Sequence, residues 1–102
     1  MIKPKVYHAT ITANTPYTFQ FDVRGSFFYV KNFTDSILTA SFGTEIDNSS
    51  YNLIPKQSGM PLCSSFVSSP ETETDTITVL SESSGIVEIQ IMEYWGMLYV
   101  WK

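Results

Sequence analysis

One cysteine, Cys63, stands in the chain's 102 residues, so no disulfide closes within it. A lone thiol of this kind suits a reducing compartment and is expected as a small buried hydrophobe. Charge is scarce too. Charged residues make up 16%, against about a quarter in an ordinary soluble domain. The six bases, Lys3, Lys5, Arg24, Lys31, Lys56 and Lys102, are scattered and outnumbered by ten acids. A net charge of −4 opposes nucleic acid, whose non-specific binding needs a basic footprint, and opposes an anionic membrane surface. There is no P-loop, no dinucleotide fingerprint and no Cys/His cluster, so neither a cofactor nor a metal is expected. No window of eleven residues carries a helical repeat. No apolar stretch follows the first six residues as a secretory signal requires, and no run approaches the ~20 residues of a membrane span. These absences predict a chain made and folded in a cytoplasm.

What is abundant is aromatic side chains, at 15%, and a period of two. Tyr17, Phe19, Phe21 and Val23 alternate with Thr18, Gln20 and Asp22, as in a half-buried strand. Further strands are expected over 6–11, 28–33, 37–42, 51–54, 76–80 and 87–91, with a weaker one over 60–67. Turn chemistry falls between them at Asn14-Thr15-Pro16, Arg24-Gly25, Thr34-Asp35, 55–59 and 81–85. Two long loops are expected, 43–50 and 67–74. Short strands at a spacing of about 8–12 residues predict an all-β fold. The expected architecture is one antiparallel β-sandwich, jelly-roll- or Ig-like, of seven to eight strands over 1–102.

Residues with chemical potential are few, and each has a plainer reading. His8, the single histidine, has no nucleophile or carboxylate near it in sequence, and reads as a strand histidine near a sheet edge. Cys63 has no activating histidine beside it. Glu71, Glu73 and Asp75 would project to one side of an extended segment. Three carboxylates do not complete a Ca²⁺ shell, so they read as a charge-protected edge strand. Asp22 and Arg24 bracket a turn and are expected to form a weak surface pair. Glu88, Glu93 and Asp35 complete no recognisable glycosidase pair. Asn32-Phe33-Thr34 and Asn48-Ser49-Ser50 match the glycosylation acceptor pattern, but a chain kept in the cytoplasm does not meet that machinery.

The last segment stands apart. Tyr94-Trp95-Gly96-Met97-Leu98-Tyr99-Val100-Trp101 holds both tryptophans and precedes Lys102. As a strand over 94–101 it is apolar on both faces, and such a strand is buried on both. A two-layer sandwich buries one. Two readings follow: a last strand that completes the sheet, with Gly96 as a bulge or bend, or a strand whose other face meets a second subunit or another protein, through Tyr94, Trp95, Met97, Leu98, Tyr99 and Trp101. Tyrosine and tryptophan dominate interface hot spots.

Phe28-Tyr29-Val30-Lys31-Asn32-Phe33-Thr34-Asp35, then a strand ending at Phe42-Gly43, then Ser50-Tyr51-Asn52-Leu53-Ile54-Pro55, then Ser84-Gly85-Ile86-Val87-Glu88-Ile89-Gln90 form a familiar order. It resembles small β-sandwich virion proteins of tailed bacteriophages, in particular the capsid-binding base domain of head-fibre and head-decoration proteins. The likeness spans most of 17–91, and its motifs are packing and turn patterns without a chemical signature. It implies a non-enzymatic structural protein of the virion, attached to the capsid or a neighbouring virion protein, often as a homo-oligomer, and assembled in the host cytoplasm. The chain lacks the shaft of the longer fibres, which favours a compact decoration, cement or adaptor subunit. The alternative is a carbohydrate-binding module, stacking sugars on the same aromatics or on Phe27, Phe28 and Tyr29.

Overall fold

The computed structural model describes residues 5–64 and 74–94, with side chains to residue 92. Of the expected interface set, Trp95, Met97, Leu98, Tyr99 and Trp101 lie outside the described residues, and only the backbone of Tyr94 is described. The described residues form seven strands and no helix: β1 Lys5–Ile11, β2 Tyr17–Asn32, β3 Leu38–Phe42, β4 Asn52–Ile54, β5 Ser58–Cys63, β6 Thr74–Ser81 and β7 Gly85–Tyr94. All pairings are antiparallel, in the order β1-β7-β2-β6-β3-β4, with β5 added to β2. The all-β antiparallel fold read from the period of two is the fold observed.

Ser58 and Gly59 open β5 and Gly85 opens β7 where turns were expected, and Thr74 opens β6 where a loop was expected. The largest difference is in β2. Arg24-Gly25 is not a turn between two strands. It lies inside β2, which runs on for 16 residues. The ladder shifts register between Gln20 and Gly25 on the β6 side, and twice between Gly25 and Phe28 on the β7 side. Such bulges bend a strand without ending it. They also change which parity points inward. Phe19 and Phe21 are buried before the bend, Phe28 and Val30 after it. The bend is sharp. Seven straight steps would set residues 21 and 28 about 24 Å apart, yet their rings stack with centroids 5.8 Å apart.

The bend makes β2 a member of two layers. Its first half pairs with β6, which carries β3 and then β4. Its second half lies between β7, which carries β1, and β5. Strands that switch sheets at a bulge are how sandwich corners are made. Fourteen apolar side chains fill the space between the layers, with Phe28, Leu38, Ile54, Ile77, Val79, Val87, Ile89 and Ile91 fully enclosed. A file of rings, Tyr17, Phe19, Phe21, Phe28 and Phe42, follows the bend at centroid spacings of 5.0 to 6.1 Å. Side chains join β1 to the first half of β2. Tyr7 packs on Phe21 at 4.8 Å, its hydroxyl donates to Asp22, and Lys5 pairs with Asp22 at 3.5 Å. Asp22 thus works across strands with Lys5 and Tyr7, where the sequence suggested its neighbour Arg24.

The end of the core carries a buried polar knot. The Asn32 amide donates to the carbonyls of Ser36 (2.9 Å), Ile54 (3.1 Å) and Pro55 (3.2 Å). Its oxygen accepts from the Thr34 N–H at 2.9 Å and lies 2.7 Å from the Thr34 hydroxyl. Thr34 also meets the Ser81 hydroxyl at 3.2 Å. Asn32 therefore ties the β2–β3 loop to the end of β4, and Thr34 extends the knot to the end of β6. Gly85 lets that loop close in, since a Cβ there would sit 3.2 Å from the Thr34 Cα. On the far layer, the 43–51 connection folds back over the sheet. The Thr78 hydroxyl donates to Gly43 O at 2.8 Å and the Ser41 hydroxyl to Ser50 O at 3.1 Å, which explains two buried hydroxyls on an outward face.

Phe28 and Phe27 are neighbours with opposite fates, fully buried and 40% exposed. Phe28→Ala removes the ring that spans the bend and is expected to cost about 3–5 kcal/mol. Phe27→Ala should cost less than about 1 kcal/mol. Urea unfolding of the two variants measures the contrast.

Candidate functional site

The outer face of the β1-β7-β2-β5 layer carries a row of interacting polar groups, His8, Glu88 and Lys31. Register places His8 beside Glu88, Glu88 beside Lys31, and Lys31 beside Gly59, a row across four strands. Glu88 is its centre. His8 Nε2 lies 2.9 Å from Oε1, Lys31 Nζ lies 3.3 Å from Oε2, and the Gln90 amide donates to Oε2 at 2.7 Å. The Gln90 amide, and after it His8 and Lys31, hold the Glu88 carboxyl below the usual glutamate range, against the opposing pull of partial burial. The carboxylate that His8 lacks in sequence thus arrives from 80 residues away. The imidazole meets that carboxylate on an open sheet surface, with its side chain 61% exposed. The row is an electrostatic clamp across three strands, and His8 sits on an edge strand as its pattern suggested.

On either side of this row the same face turns apolar. Ile86 and Phe33, joined through the Phe33 N–H and Ile86 carbonyl, stand at one end, each 48% exposed. Val6, Met92 and Phe27 stand at the other, 36–48% exposed. Between them the Tyr29 ring lies over Gly59, where a Cβ would come within 2.6 Å of the ring. Tyr29, Lys31, Phe33, Gln57 and Ser58 border a shallow hollow of about 220 Å³ there. Gln57 is tied down, its amide donating to the carbonyls of Phe33 (2.9 Å) and Thr34 (3.1 Å).

The other candidates fall apart spatially. Cys63 lies on β5 opposite Phe27 and is exposed, not buried as expected of a small hydrophobe. Residue 63 is one of the outward positions of β5, and Leu62 takes the buried one. Glu71 and Glu73 lie outside the described residues, and Asp75 is in β6. Among the described residues no three acidic, histidine or cysteine side chains cluster as metal ligands. Asn32 is the buried knot and not an accessible acceptor, while Asn48 stands exposed in the β3–β4 connection. Phe28, one of the rings considered for sugar stacking, is fully buried. Among the described residues no helix is long and apolar enough to cross a membrane. Comparison with protein-family models, curated proteins and solved structures finds no match to this chain.

Sequence inspection missed the clamp because its members come from three strands. The available signal was weak: alternation marks Glu88 and Gln90 as outward, and Lys31 as outward on its own strand.

Because folding lowers the Glu88 pKa, the pair interactions stabilise the fold fully above the ordinary glutamate range. That contribution fades as pH falls through the lowered value. Glu88→Gln should lower stability at neutral pH and change it little near pH 3, so that the acid side of the stability–pH curve flattens; thermal melts from neutral pH to pH 3 read this out. Native Cys63 should react to completion with an aromatic disulfide reagent without denaturant, measured by absorbance; a thiol reacting only in denaturant would contradict its exposure.

Proposed function

We propose that this chain is a non-enzymatic structural protein of a tailed-phage virion, binding the capsid or a neighbouring virion protein as a decoration, cement or adaptor subunit. The observation that carries the reading is the outward placement of large apolar side chains. Among the described residues nine of them, Val6, Tyr17, Phe27, Phe33, Ile37, Tyr51, Leu53, Ile86 and Met92, are 36–56% exposed. Single exposed hydrophobes are ordinary. Five of these share one face, in two groups flanking a neutralised charge row, which is the anatomy of a surface that docks on protein.

The sequence segments that carry the resemblance support the same reading. They supply the β2–β3 turn around Asn32, strand β4 and the start of β7. The run at 94–101 adds the aromatic density typical of interface hot spots, and Tyr94, Trp95, Met97, Leu98, Tyr99 and Trp101 are its proposed contacts. Self-association and attachment to the shell both follow from such a surface, and assembly would take place in the host cytoplasm.

A carbohydrate-binding module is the second reading, and the hollow bordered by Tyr29 and Phe33 is what favours it. Rings beside fixed polar groups suit a sugar, but the Gln57 amide is already committed to backbone carbonyls.

Mass spectrometry of density-purified phage particles from a lysate expressing this chain tests the proposal. The expected result is a fixed number of copies per particle, lost when Phe27 and Met92 are both changed to Asp. Absence from particles, or sugar binding by a monomer on a glycan array, overturns it.

A further inference from the structure

The outer face of the other layer holds a second apolar surface that the docking face does not use. Ile37, Thr39, Leu53 and Leu80 floor a groove of about 390 Å³, with Asn14 and Glu82 on its rim. Ile37 is 56% exposed and Leu53 50%. The two aliphatic side chains from β4 and β6 stand on either side of Thr39, with which both are in register. Glu82 is the one charge among the residues bordering the groove. Its volume lies in the range of pockets that enclose small ligands, about 300–1,000 Å³. What it offers is an aliphatic floor with a single acid at the edge.

The chain carries a segment of matching chemistry. Residues 95–101 are almost wholly apolar and aromatic, and a lysine, Lys102, follows them. Their reach decides where they can bind. β7 delivers Tyr94 opposite Gly25, and Gly25 is opposite Thr74 at the start of β6. The groove lies at the other end of β6, at Leu80 and Ser81. Seven steps along β6, from Thr74 to Ser81, cover about 24 Å. The seven residues 95–101 at full stretch cover about the same distance. Within one copy they would spend their whole length arriving, with none left to lie in the groove.

We propose that residues 95–101 of one copy occupy the Ile37–Leu53–Leu80 groove of a second copy, with Lys102 set against Glu82. This rests on reading 94–101 as an interface segment, and adds its receptor. The contact is heterologous: a tail at one end of the domain meets a groove at the other. Such contacts close into rings or continue as open chains, depending on the rotation between copies. A repeating shell lining or collar is built this way, so the device fits a subunit that must cover a capsid.

Mixing experiments on the full-length chain test it. Ile37→Asp with Leu53→Asp blocks the groove, and Trp95→Ser with Trp101→Ser blocks the tail. By analytical ultracentrifugation the unaltered chain should associate beyond a dimer as concentration rises, and each double variant alone should be monomeric. Mixed in equal amounts, the two should form a species of twice the monomer mass and stop there, because one intact tail and one intact groove remain. Glu82→Lys alone, at an exposed rim position, should weaken association about two- to fivefold, the scale of an exposed ion pair. Adding Lys102→Glu should restore it. Association of the groove variant like that of the unaltered chain overturns the inference, as does a mixture that stays monomeric. A chain that is monomeric at its highest soluble concentration also overturns it. In that case copies found on virions would still uphold the virion reading.

Discussion

Everything in this domain hangs on the bend in β2. A 16-residue strand that stayed straight would put Phe21 and Phe28 about 24 Å apart and on opposite faces of a flat sheet. Folded at Gly25, the same strand belongs to both layers, pairing with β6 in one and lying between β7 and β5 in the other, and brings those two rings to a centroid distance of 5.8 Å. Every other strand then has a defined place. β6, β3 and β4 extend from the first half, and β7, β1 and β5 flank the second. The gain is burial on both inner faces, which for a chain of this size is the main source of stability.

The bend leaves two ends of the core to be closed, and polar groups close them. At one, Tyr7 and Lys5 engage Asp22 where no backbone ladder joins β1 to β2 among the described residues. At the other, Asn32 bonds to three carbonyls and accepts from Thr34. A buried amide is costly unless its hydrogen bonds are made, and here they are made to loops that need fixing. The outcome is a rigid shell whose outer faces are free to carry apolar side chains without threatening the fold. The apolar groups beside the Glu88 row and the Ile37–Leu53–Leu80 groove differ in this respect only by layer.

Much of this was legible as pattern. Alternation located Phe19, Phe21, Ile77, Val79, Val87, Ile89 and Ile91, all of which are buried. The strand at 17–23 and the strand at 28–33 were each read correctly in content. Their separation was not, because glycine beside a charged residue is equally at home in a turn and in a bulge. Cys63 was misplaced because its residue type favours burial, whereas its position on β5 decides exposure. The clamp at Glu88 was invisible for another reason. His8 and Glu88 are 80 residues apart, and nothing in either neighbourhood points to the other. Asn32-Phe33-Thr34 looked like a glycosylation pattern, although its side chains are spent on the core.

By itself the sequence determined the fold class, the buried faces of the first half of β2, of β6 and of β7, and the absence of a recognisable catalytic motif. It also set aside an unusual apolar run at 94–101. These are local properties, written in side-chain type and a period of two. Tertiary structure alone decided that β2 is one bent strand, that Asn32 is a hub, and that His8, Glu88 and Lys31 form a row. It also decided that Ile37, Leu53 and Leu80 border one groove. Each of those facts depends on which strands become neighbours, and strand order is set by the total burial of the folded chain, a quantity no short window of residues contains.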